Sequence, residues 1–338
     1  MPKKAKIKRI MAALMMLVIL SMALTGCSGG AESVPENTDQ IQTGEGEQAK
    51  KPQVPEKLET NEDGVPLLRV YQTDEESAEE MDIETYLLGV LAGEMKNDWP
   101  MEALKAQAIL ARTFVLKFCQ EKTSKYPDAD ISTDIEEAQA YDATGVNERV
   151  EQAVADTKGL VLSHNGELPY AWFHAHSGGM TEKAKEGLAY EKDEPGYTKV
   201  TPGNESEKAP EEDKHWEITF TEEEFLAAVK KAGLSGIDRI ETLAVGDRGD
   251  SGRAVTLLIN GKSVSAPELR LALGSTKMRS TLLENFRMED GQVFIAGKGY
   301  GHGVGMPQWG AYGMAEEGRS AEEIVTYYFQ DVTIEKLW

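Results

Sequence analysis

"GVLAGEMKNDWPMEALKAQAILARTF", Gly89–Phe114, ends one apolar run on an acid and then restarts as another. Upstream, Ile83, Leu87, Val90 and Leu91 recur at helical spacing, and Glu94 follows in the same register, so the acid continues the buried stripe. Beyond it Asn97 and Asp98 are cap candidates, Pro100 suits a first turn, and Leu104, Ala108, Ala111, Val115 and Phe118 share one face. The stretch predicts two helices meeting at a short corner. A carboxyl held on an apolar stripe loses hydration in its charged form, so its pKa rises and it can stay a proton donor near neutrality. The plainer alternative is a helix-terminal Glu paired with Lys105 or Arg112. Those two cations lie on one face of the second helix and are expected to aim into the same corner.

Further along, "LVLSHNGELPYAWF" and "AVTLLINGKSV" each place an Asn-Gly pair, Asn165-Gly166 and Asn260-Gly261, between apolar runs, which predicts two antiparallel hairpins. "SAPELRLALG" follows with Ser265 and Glu268 as a capping box, Pro267 in the first turn and Gly274 as the stop, and "SAEEIVTYYF" repeats the box with Ser320 and Glu323. Helices interleaved with hairpins, without a βαβ rhythm, predict an α+β fold. We expect a single two-lobed domain around a cleft, spanning residues 65–338, with the acidic, Pro-bearing stretch Tyr190–Trp216 as a long surface loop.

The N-terminus carries Lys3, Lys4, Lys6, Lys8 and Arg9, then the apolar run Ile10–Leu24, then "TGC", the order of an export signal. The run falls short of the roughly 20 residues that span a bilayer, which argues against a transmembrane anchor. "LTGC", Leu24–Cys27, resembles the lipobox of bacterial lipoproteins and assigns residues 1–26 to the leader and Cys27 to lipidation. Residues 27–64 are too polar to bury a core and read as a disordered tether from membrane to domain. The other cysteine, Cys119, belongs to a buried helix face, so no disulfide framework is expected. The net charge of −22, which deepens once the five cations of the leader are removed, disfavours contact with phosphate backbones and so excludes nucleic acid as a partner.

Two further motifs carry polar chemistry. "GKGYGHGVGMPQWGAYGMAEEG" sets Gly297, Gly299, Gly301, Gly303 and Gly305 around His302; no register of it gives a dinucleotide fingerprint, and the alternating glycines let a polymer or another backbone approach closely. "AWFHAHSGGMTE" ends a strand in His174, His176 and Ser177. A two-His metal site there lacks acidic or sulfur partners at ligand spacing, and His174 and Ser177 are expected as hydrogen-bonding groups on the rim of the cleft.

Together, "YLLGVLAGEM…WPMEALKAQAILARTF", "GLVLSHNGE…AWFHAHSGGMTE", "GDRGDSGRAVTL" and the glycine motif resemble, in order and spacing, stage II sporulation protein D and its amidase-enhancer relatives. The resemblance implies a lytic transglycosylase of peptidoglycan, cleaving the N-acetylmuramic acid to N-acetylglucosamine bond with a 1,6-anhydro product. It implies Glu94 as the catalytic acid, Lys105 and Arg112 as functional basic residues, and Tyr197 and Lys199 in "PGYTKV" as a further pair. His174, Ser177, His302 and Gln308 join them as substrate-binding candidates. Partners implied are glycan strands, a cell-wall amidase and, through the N-terminal lipid, the membrane, with the protein facing the wall. Where some relatives read "CTD…CQ" and can take zinc, this chain reads "STDIEEAQAY", with Ser132 and Ala138 for sulfur, so no metal and no other cofactor is expected. The role is wall remodelling, in spore engulfment or elsewhere. The alternative from another class is a non-catalytic glycan-binding protein that stimulates an amidase.

Overall fold

A computed structural model describes residues 50–338; the leader, Cys27 and the tether up to residue 49 lie outside them. Residues 50–64 differ from the expected tether, because they pack. Pro52, Pro55 and Leu58, three residues apart, are buried against the domain, and Lys50 and Lys51 pair with Glu167 and Glu335 at 2.7 and 3.0 Å. Average polarity hid a short apolar stripe.

The chain then forms β1 (Leu67–Gln72) and β2 (Ser77–Asp82), an antiparallel pair. Asp82 caps α1 (Ile83–Glu94) by accepting the Thr85 N–H at 3.0 Å. α1 buries Ile83, Tyr86, Leu87, Val90 and Leu91, and stops where Met95 turns extended. The corner follows, and α2 (Met101–Glu121) starts at Pro100 itself rather than at a side-chain cap. Asn97, a cap candidate in the sequence, instead donates to the Gly145 carbonyl at 2.9 Å. β3 (Ile131–Ser132) joins β1 in parallel, and α3 (Glu148–Asp156), β4 (Leu160–His164) and the short β5 (Phe173–His174) complete the first half. α2 is the axis of this half, with its predicted face of Leu104, Ala108, Ala111, Val115 and Phe118 buried.

The second half holds α4 (Ala184–Leu188), a long loop, α5 (Glu211–Lys214), β6 (His215–Thr221), α6 (Glu222–Lys231), β7 (Leu243–Val245), β8 (Thr256–Ile259), β9 (Lys262–Ser265), α7 (Ala266–Leu273), β10 (Leu282–Glu289) and β11 (Gln292–Lys298). Two antiparallel sheets, ordered β10-β11-β6 and β7-β8-β9, enclose a second core with α6 and α7. β12 (Met306–Pro307) then pairs in parallel with β5, and α8 (Gln308–Glu316), α9 (Ala321–Tyr328) and β13 (Val332–Lys336) return to the first core. Helices and mostly antiparallel strands make the fold α+β, with two hydrophobic cores in one unit.

One predicted hairpin forms and one does not. Asn260 and Gly261, at φ of 52° and 75°, turn β8 into β9. Asn165 and Gly166 make the same turn, but only His164 and Glu167 pair across it. Pro169 has no N–H to continue the ladder, and β4 pairs with β13.

Candidate active site

Glu94 is the last residue of α1, and its carboxyl has two partners. Oε1 accepts the Ala140 N–H at 2.7 Å, and Oε2 accepts from the Gln308 amide nitrogen at 3.2 Å. The same nitrogen donates to the Glu94 carbonyl at 3.1 Å, so Gln308, at the start of α8, fastens the end of α1 from the far end of the chain. Neither partner is a cation. Crowding strips water from the carboxyl and raises its pKa to about 7, against the two hydrogen bonds, which lower it. The residue still keeps a partial opening to solvent. It is therefore an acid balanced between protonation states near neutral pH.

The segment that supplies Ala140 lies across α1 on two glycines. A Cβ on Gly93 would stand 2.7 Å from the Ala140 carbonyl carbon, and one on Gly89 would stand 2.3 Å from the Tyr141 ring. Asp142 N–H bonds the Gly89 carbonyl at 2.9 Å, and Tyr141 stacks on Tyr86 at 5.6 Å. Gly89, Gly93, Ala140 and Tyr141 were missed in the sequence. The available signal was the G-x-x-x-G spacing inside "GVLAGE", which marks a helix face open to close approach.

Neither cation pairs with Glu94. Arg112 is fully buried and grips Glu84, Nη2 to Oε2 at 2.5 Å and Nε to Oε1 at 3.1 Å, with Nη1 on the Leu160 carbonyl at 3.0 Å. Glu84 lies in the first turn of α1, roughly 15 Å along the axis from Glu94 at 1.5 Å per residue. It also accepts from the Gly159 N–H and the Trp338 indole, both at 3.0 Å. Burial lowers the Arg112 pKa and Glu84 opposes the shift. Lys105 sits between Asp156 at 2.9 Å and Glu102 at 3.1 Å. Spacing put both on one helical face, as expected, but that face looks at α3 and the other end of α1.

His174 and Ser177 are buried and His302 is half-buried, at a seam between the two cores. Ser177 is fully buried, with its N–H on Glu205 Oε1 at 2.7 Å and its hydroxyl on the same oxygen. His174 is buried with Nδ1 at 3.2 Å from the Val304 carbonyl, and its ring lies 5.4 Å from that of His302. His302 accepts the Val304 N–H at 3.0 Å; burial, then the Arg270 and Arg253 charges, push its pKa down to about 3. Arg253, from the second core, reaches in to the Ser177 and Met180 carbonyls at 2.6 and 3.1 Å. The glycines serve this crossing. Side chains at Gly297, Gly301 and Gly303 would meet Trp216, His174 and the Arg253 guanidinium, and at Gly299 and Gly305 the backbone at His176 and Trp172. Another part of the same chain makes the close approach. Tyr197 is likewise interior, its hydroxyl accepting the Tyr170 N–H at 2.9 Å, while Lys199 is half-exposed over the Tyr327 ring.

Ser132 and Ala138 leave the segment without sulfur: Ser132 is buried and accepts the Asp134 N–H at 3.2 Å. The donor set does not fit zinc. Among the described residues no group of three or more His, Cys, Asp or Glu is placed to hold a metal, and no helix is long and apolar enough to cross a membrane.

A family model described as Stage II sporulation protein matches residues 71–164, which include Glu94 and the segment laid over it. A domain of unknown function matches residues 192–305, which include the second core. Stage II sporulation protein D of Bacillus subtilis (strain 168) is 33% identical over 284 residues, covering 78% of this chain and 78% of the relative. The chain belongs to the stage II sporulation protein D family. The family member from Bacillus amyloliquefaciens is also 33% identical, with 77% of it covered. The amidase enhancer of Bacillus subtilis (strain 168) is 30% identical over 291 residues, and the alignment spans 40% of it.

Proposed function

We propose that this chain is a peptidoglycan lytic transglycosylase, and the observation that carries the reading is the state of the Glu94 carboxyl. Hydrolysis of a glycosidic bond ordinarily uses two carboxylates, one for the leaving group and one for water or the covalent step. Here one carboxyl stands with neutral donors and a pKa of about 7. One is enough when the sugar supplies its own nucleophile. Glu94 gives its proton to the glycosidic oxygen as the bond from muramic acid C1 to that oxygen breaks. The resulting carboxylate takes the proton of the muramic acid 6-hydroxyl while O6 bonds to C1, closing the 1,6-anhydro ring and restoring the acid. Gln308 steadies the carboxyl through the cycle, since its amide reaches both the side chain and the backbone of Glu94.

Export with a lipid on Cys27 would hold the domain at the membrane face that meets the wall. The relative named amidase enhancer favours a second reading, in which the domain binds glycan and stimulates an amidase. Mass spectrometry of digested glycan separates them. Wild type should release anhydro-muropeptides, and Glu94→Gln should lose about 10²- to 10⁴-fold in rate while still binding glycan. Glycan left intact by folded wild type removes the transglycosylase reading.

A further inference from the structure

Resting on that reading, we infer that the Gln139–Tyr141 segment is the positioning element of the Glu94 carboxyl, and that Gly93 is the residue that admits it. The segment is fixed to one stripe of α1 at three levels. The Tyr141 ring lies on Tyr86, the Asp142 N–H bonds the Gly89 carbonyl, and the Ala140 N–H bonds Glu94 Oε1. The Gln139 amide is buried without a hydrogen-bond partner, so backbone and ring contacts hold the segment.

The choice of donor has a chemical consequence. A lysine or arginine at the Ala140 position would fix Oε1 equally well, but its charge would hold the carboxyl ionised and end its use as an acid. A backbone N–H orients the oxygen and adds no net charge. It also has no rotamers, so Oε1 is aimed by the helix and the segment together, leaving Oε2 toward Gln308. Gly93 sets the distance. Its missing Cβ is the space occupied by the Ala140–Tyr141 peptide, and a methyl there meets backbone atoms at 2.7 Å that cannot swing away. Gly93→Ala therefore lifts the segment and lengthens the bond to Glu94 without touching the acid.

The first test uses the wild-type chain, isotopically labelled, by NMR. The Ala140 amide proton shift should titrate with the same midpoint as the Glu94 carboxyl carbon, and that titration should vanish in Glu94→Gln. The second compares wild type with Gly93→Ala. The variant should move the Glu94 midpoint upward, because the charged form loses a donor. It should also move the alkaline limb of kcat/KM the same way, and lower kcat at least about tenfold with KM nearly unchanged. A segment that serves only the fold would lower the melting temperature and leave midpoint and limb in place. An Ala140 shift independent of pH overturns the inference even if no variant folds. Failure of the transglycosylase reading is distinguishable: wild type would make no anhydro product while the two midpoints still coincided.

Discussion

Replacing Glu94 by Gln should stabilise the protein at neutral and alkaline pH. The folded carboxyl has its pKa raised from 4.5 to about 7, chiefly by desolvation. The folded state therefore holds this proton more tightly than the unfolded chain, and the resulting stability is fully present below pH 4.5. It falls away as pH rises from 4.5 and is gone once pH passes about 7. At 1.36 kcal/mol per unit, ionising Glu94 in place costs about 3 kcal/mol by pH 9. Gln carries no charge and escapes that loss. Its oxygen can keep the Ala140 N–H, and the Gln308 amide nitrogen can keep its bond to the backbone carbonyl of residue 94. Urea unfolding at pH 4 and pH 9 measures the effect: near equality at pH 4, and an advantage of order 2–3 kcal/mol for Glu94→Gln at pH 9. A difference between the two proteins that stays constant with pH would refute the argument, because it would mean that Glu94 titrates normally in the fold.

Arg112→Ala should cost about 3–5 kcal/mol, since it leaves Glu84 partly buried without its cation, whereas Lys105→Ala should cost under about 1 kcal/mol; chemical denaturation of both measures the contrast. Gly303→Ala should cost at least about 2 kcal/mol, combining a left-handed φ of 87° with a collision at the Arg253 guanidinium, and calorimetry should record the drop. Cys27→Ala, outside the described residues, should free the protein from membranes or block its maturation, and a variant that matures and stays membrane-bound in cell fractionation would rule out the lipid anchor.

Legibility followed the range of the forces involved. Periodicity gave α1 and the buried face of α2, and Asn-Gly gave the β8–β9 turn, because these depend on neighbours in sequence. The Ser320 capping box formed in full; at Ser265 the hydroxyl accepts the Glu268 N–H at 3.3 Å. The place of Glu94 at the end of a buried stripe was readable because that stripe is local. What packs on it was not: Ala140 comes from 46 residues away and Gln308 from 214, and no local pattern encodes those pairings. Spacing placed Lys105 and Arg112 on one face without revealing what that face meets. Polar residues in glycine-rich motifs suggested a ligand, although the glycines accommodate other parts of the chain.

The seam has a consequence for how the molecule assembles. His174 meets Val304 across 130 positions, and Arg253 meets Ser177 across 76, so neither core can bury its shared polar border until chain segments far apart have met. Closing such long loops costs entropy before any contact repays it, which slows folding. Melting one core would strand a buried guanidinium and the carbonyls it bonds, so the two cores should unfold in a single cooperative transition despite their separate hydrophobic interiors.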